Sequence, residues 1–167
     1  KAEHPHIRIA MGGGFPNTEL RTLKDVRVFE FFDYITLDDG ELPIELLAKH
    51  VCGSNNPTNG SFKRTLLIEN EEIIYIDTSC QTDYKQSEVG TPDYSDLRLD
   101  EYISVIKIAN PMHSLWSDGR WNKLTMAHGC YWGKCTFCDI SLDYIKLYEP
   151  VAAKVLVDRI EQIIAQT

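Results

Sequence analysis

No apolar run in this chain approaches the roughly 20 residues that a bilayer-spanning helix requires, which excludes a helical membrane span. Basic residues are in deficit. Seventeen Lys and Arg against 25 Asp and Glu leave a net charge of −8, the wrong sign for a surface that binds nucleic acid. The opening residues, Lys1 to His6, lack the apolar segment of a secretory leader and also an initiating Met. The chain is therefore expected to be a piece cut from a cytoplasmic protein. No internal repeat and no low-complexity tract interrupts it. Its five cysteines are odd in number, and three of them sit within nine residues, which speaks against a disulfide scaffold.

What is present is a globular composition, 43% hydrophobic and 25% charged, over 167 residues. That is room for one domain or for the ends of two. His6 to Met11 reads as a short buried strand running into Gly12, Gly13 and Gly14, where a turn or a close backbone approach is expected. Asn17 or Thr18 is placed to cap the next helix, and Glu19 to Phe32 has the period of an amphipathic or broken helix. Tyr34 to Leu37 reads as a second strand, ended by Asp38, Asp39, Gly40 and Glu41. Leu42 to Val51 reads as a helix with Pro43 in its first turn. Strand, Gly-rich loop, helix, strand and helix in alternation predict an α/β fold with a partial doubly wound parallel sheet.

Phe62–Ile68 and Ile73–Ile76 flank an acidic turn and predict a hairpin. Ser79 to Tyr94 is polar and reads as a linker, and Leu97 to Ser104 as a short helix. Trp121 to Ala127 reads as a strand, and Val151 to Gln166 has a firm helical period. These boundaries give three parts: 1–53, an α/β portion; 54–120, hairpin and connector; and 121–167, one strand–loop–helix unit. Cys52 and Cys80, outside the cluster, read as small, partly buried hydrophobes.

Cys130, Cys135 and Cys138 are separated by four and two residues, close enough to converge on one inorganic centre. Three thiolates leave one metal position open, as a cluster needs if it is to bind a cofactor directly. Phe137 offers a flat apolar face beside the last of them. The alternative is a zinc-stabilised, non-enzymatic interaction module in which His128 completes a Cys3His set.

The three-cysteine loop with an aromatic before its last member resembles that of the radical S-adenosylmethionine enzymes. The family's usual loop has three residues between the first two cysteines, where this chain has Tyr131, Trp132, Gly133 and Lys134. The resemblance implies a [4Fe–4S] cluster ligated by Cys130, Cys135 and Cys138, with S-adenosylmethionine on its fourth iron and Phe137 by the adenine. Further stretches extend it, in order Gly12–Arg21, Asp33–Glu41, Leu115–Leu124 and Ala127–Asp139. Together they are similar to radical enzymes that carry an N-terminal cobalamin-binding-type domain.

In that resemblance residues 1–53 are the C-terminal part of the cobalamin-type domain, and 121–167 begin the radical enzyme's barrel. Gly12, Gly13 and Gly14 match the loop that approaches the cobalamin nucleotide tail. The Asp-x-His-x-x-Gly segment that supplies cobalamin's lower ligand does not occur in the chain, so its residues give cobalamin no support as a cofactor. The resemblance also implies an external electron donor and a small-molecule or peptide substrate of unspecified identity. It assigns no residue as acid or base. Sheet edges and helix faces of such a piece are expected to be open, so the chain should self-associate. Light scattering at high concentration is expected to report masses above the monomer, and a clean monomer would count against that expectation.

Overall fold

A computed structural model describes residues 1, 3–53, 61–98, 101 and 124–166. The protein is mixed α/β, with a four-stranded mixed sheet and, among the described residues, four α-helices. It divides into two compact units. The first is Lys1–Lys85 with Gly129–Leu147, and the second is Gln86–His128 with Tyr148–Thr167.

In the first unit, β1 (Ala10–Met11) leads through the glycines into α1 (Gly14–Glu19). That helix starts earlier than the Asn17 or Thr18 cap predicted. Gly13 is the N-cap and Pro16 falls in the first turn, where a missing N–H costs nothing. The helical period over Glu19–Phe32 takes its broken form, a 3-10 helix at Val26–Glu30 whose cap, Asp25, accepts from the Arg27 N–H at 3.0 Å. β2 (Tyr34–Thr36) then runs parallel to β1, with Ala10 opposite Tyr34. α2 (Glu41–Cys52) follows, with Pro43 buried in its first turn.

The hairpin is β3 (Thr65–Glu69) and β4 (Glu72–Ile76), turned through Asn70 and Glu71, both at positive φ as a tight two-residue hairpin loop demands. β3 pairs antiparallel with β2, giving the order β1-β2-β3-β4. Only the β1–β2 pair is parallel, and residues 65–76 belong to the same sheet.

Alternation along the strands sorts their side chains onto two faces. Ile35 and Leu66 join Phe29 and Leu37 on one side, with Met11, Leu20 and Ile73 packed against them. Tyr34, Leu67 and Ile74 pack against Phe62, Ile76 and Leu47 of α2 on the other. Both faces of this small sheet are thus covered.

Arg64, at the entry to β3, is buried with its backbone at φ 44°. Its Nε donates to the Leu37 carbonyl at 3.2 Å and one Nη to the Asp39 carbonyl at 2.9 Å. The same guanidinium grips Asp83 through two bonds of 2.8 and 2.7 Å. The carbonyls leaving β2 are therefore satisfied by a side chain from the hairpin.

In the second unit, β5 (Ala127–His128) pairs antiparallel with β6 (Glu149–Pro150), and α4 (Ala153–Gln166) follows. Of the strand predicted over Trp121–Ala127, the described residues 124–127 keep Ala127 in β5, which extends to His128. Residues 121–123 lie outside the described part. The strand–loop–helix unit also contains an antiparallel return that its period does not announce. Arg159 of α4 is buried and donates to the Gln86 carbonyl at 2.8 Å and to that of Val89. The Tyr94 N–H donates to Gln166 Oε1 at 3.0 Å, so the polar stretch 86–94 is laid along α4. The helix expected at Leu97–Ser104 falls mostly outside the described residues.

Arg64→Ala should destabilise the first unit by roughly 2–4 kcal/mol in denaturant unfolding, because two carbonyls and a carboxylate lose a buried charged donor. Asp83→Asn should cost less. Burial pushes the Asp83 carboxyl up, but Arg64's hydrogen bonds and charge, with the charge of Lys63, outweigh it and hold the group below the usual carboxylate range. A depressed acid contributes stability above its unfolded value and loses it as pH falls through the folded one. The stability difference between wild type and Asp83→Asn should therefore be full at neutral pH and shrink below about pH 4.

Candidate functional site

The cysteine loop is closed at its stem by main-chain contacts. The Cys130 N–H donates to the Ile145 carbonyl at 2.7 Å, joining the start of the loop to α3 (Asp143–Lys146). Gly129, at φ 72°, lies so close to the chain leaving α3 that a Cβ there would meet the Leu147 oxygen at 2.1 Å. No residue but glycine fits this approach.

Inside the loop a second glycine, Gly133 at φ 56°, turns its N–H toward Cys130 Sγ at 3.5 Å. Together the Gly133 and Trp132 amides pull the Cys130 thiol below its ordinary value, favouring the thiolate. The Cys138 N–H reaches the Cys135 carbonyl at 3.4 Å. Beyond it, Asp139 accepts from Ser141 Oγ at 2.6 Å and from its N–H at 3.0 Å, closing the loop's far end. Those bonds, with the charge of Arg21, hold the Asp139 carboxyl low.

Cys130, Cys135 and Cys138 are free and half-buried. They share a short loop, but among the described residues no three His, Cys, Asp or Glu side chains are gathered at metal-binding spacing. Phe137 is 90% exposed and Tyr131 80%. Lys134 Nζ lies 5.5 Å from the centre of the Trp132 ring, so its charge faces the indole. Cys52 and Cys80 are exposed, not partly buried as expected. Cys52 ends α2 on its outer side, and Cys80 follows the last strand of the hairpin, where no core remains to receive it.

The three glycines have separate fates. Gly12 lines a cleft of about 370 Å³ with Ala10, Met11, Thr36, Gly40, Glu41 and Ile44, where β1 and β2 end and α2 begins. A Cβ on Gly12 would stand 2.9 Å from the Thr36 hydroxyl, so glycine keeps the cleft open. Gly13 supplies the positive φ of the α1 cap, and Gly14 is the first residue of the helix. Neither lines the cleft.

The acidic turn after β2 does not cap α2, whose N-cap Gly40 receives no side-chain bond. Instead Asn17, 5% exposed, clamps Asp38 from both sides. Its Oδ1 accepts from the Asp38 N–H at 2.5 Å, and its Nδ2 donates to the Asp38 carbonyl at 3.4 Å. Arg21 donates to the Asn17 carbonyl at 2.8 Å and pairs with the Asp38 carboxylate. Sequence reasoning placed Asn17 at a helix cap and gave Arg21 no part. The available signal was their spacing of four, about one helical turn, although Arg21 itself lies just past the end of α1.

Gly129→Ala should break the loop's stem. Hydrogen exchange should show lost protection at the Cys130 amide, with a cost above the ~1–2 kcal/mol of a left-handed backbone alone. Gly133→Ala, with open space around it, should cost no more than that backbone term. No known protein family, curated protein or solved structure matches the chain.

Proposed function

We propose that the cysteine loop binds a [4Fe–4S] cluster at which S-adenosylmethionine is reductively cleaved. The chain would thus be part of a radical enzyme whose cobalamin-type domain supplies residues 1–53 and whose barrel begins at residue 121. The observation that carries this reading is three free thiols on one loop whose stem only a glycine permits. The donor set fits the group. Three soft thiolates suit iron–sulfur ligation, and their number leaves one iron free. Held by Cys130, Cys135 and Cys138, such a cluster would supply one-electron reductive cleavage of S-adenosylmethionine, with methionine as the leaving group and an external donor as the source of the electron.

The chain's own residues do the rest. The Gly133 and Trp132 amides face Cys130 Sγ and shift that thiol toward its thiolate form. Binding of a metal centre would draw the loop inward around the three sulfurs, as in other sites that order on binding. Phe137 presents an apolar ring that a planar base can cover. Gly12, at the cleft where the parallel strands end, is where the backbone of a cofactor-binding domain comes nearest its ligand.

Anaerobic reconstitution with iron and sulfide should give a brown chromophore with about four irons per chain and an EPR signal on reduction. Alanine at Cys130, Cys135 or Cys138 should abolish it, while alanine at Cys52 or Cys80 should leave it unchanged. Stoichiometric zinc that resists iron reconstitution, with no chromophore, would overturn the proposal in favour of a zinc-stabilised interaction module.

A further inference from the structure

The cysteine loop meets the segment that follows the Gly-rich turn's helix, through Arg21 just past the end of α1 and Tyr144 of α3. α3, the return of the loop, has four residues and cannot hold its own conformation in water. It is fixed by tertiary contacts, and one of them is Arg21, whose guanidinium carbon lies 5.9 Å from the centre of the Tyr144 ring. That is within cation–π reach. The guanidinium is itself immobile. Its Nε is spent on the Asn17 carbonyl and one Nη on Asp38, and the side chain is only 26% exposed. Asn17 in turn is locked to the Asp38 main chain. A planar cation held by its edges presents a face, which lysine cannot do.

We propose that Arg21 is a positioning residue of the cysteine loop, seating Tyr144 from an anchorage on Asn17 and Asp38 and thereby setting the path of residues 129–147. This rests on the reading of Cys130, Cys135 and Cys138 as the functional thiols. In this arrangement the glycine turn and the cysteine loop are one mechanical assembly. Asn17 and Asp38 fix Arg21, Arg21 fixes Tyr144, and the Cys130–Ile145 bond carries that order to the loop's first thiol. A change at the Gly-rich turn would be felt at the cysteines without any residue of the turn touching a sulfur.

The test uses the reduced, metal-free chain, so its result stands whether or not iron binds. Iodoacetamide alkylation is followed at each cysteine by mass spectrometry, with the exposed Cys52 and Cys80 as internal controls. Arg21→Met should raise the rates at Cys130, Cys135 and Cys138 about two- to fivefold, the population change that such a contact sustains. Tyr144→Leu, which leaves the Arg21–Asp38 pair intact, should do the same, and the double variant should add nothing further. Tyr144→Phe keeps the ring and should react as wild type, whereas Arg21→Lys should not rescue. Unchanged rates in Arg21→Met and Tyr144→Leu would overturn the proposal. So would an equal rise at all five thiols, which would mean general loosening.

Discussion

The Arg64 guanidinium leaves water at the point where the parallel half of the sheet ends and the antiparallel half begins. Two backbone carbonyls emerging from β2 need donors there, and no strand continues to supply them. Arg64 satisfies both and returns its remaining donors to Asp83. Its own carbonyl accepts from the Leu37 N–H at 2.9 Å, so main chain and side chain bind the same neighbour. Without this arrangement the hairpin would have edge contacts to β2 over only a short register, Ile35 with Leu66 and Thr36 with Thr65. The positive φ of Arg64 is the strain accepted for that geometry.

Once β2 is held on both edges, the segments around it become dependent on its exit. Asp38 leaves β2 at φ 59°, a conformation that costs an aspartate less than most residues. Asn17 stabilises it with a two-sided amide contact. The cleft at the strand ends exists because Gly12 yields to the Thr36 hydroxyl and because α2 starts directly at Gly40. A small sheet with one parallel pair thus acquires an organised rim from four side chains: Asn17, Arg21, Asp38 and Arg64.

The cysteine loop obeys a different economy of contacts. It carries large exposed rings and little buried surface, and its shape is set by two glycines and a few main-chain bonds. Such a loop is stable at its stem and adaptable at its tip. That combination confines the entropy of ordering to the tip. The amides facing Cys130 Sγ bias that thiol toward its charged form.

The sequence by itself determined the elements whose signal is local. The hairpin was legible from two apolar runs about an acidic turn, α2 from its period and Pro43, and α4 from its apolar spacing. The cysteine spacing by itself marked Cys130, Cys135 and Cys138 as the candidate thiols. It did not disclose that the hairpin joins β2, because antiparallel pairing depends on which edge Arg64 can reach. Nor did it disclose the β5–β6 return, two residues long and held by backbone bonds that carry no side-chain pattern. The roles of Asn17, Arg21 and Arg159 were hidden for the same reason. A polar side chain inside a fold is defined by its partners, and Asp38 of Asn17, the Tyr144 ring of Arg21 and the Gln86 carbonyl of Arg159 lie 21, 123 and 73 positions away. Periodicity reads neighbours along the chain; only tertiary structure decided which carbonyls, carboxylates and rings those side chains would meet.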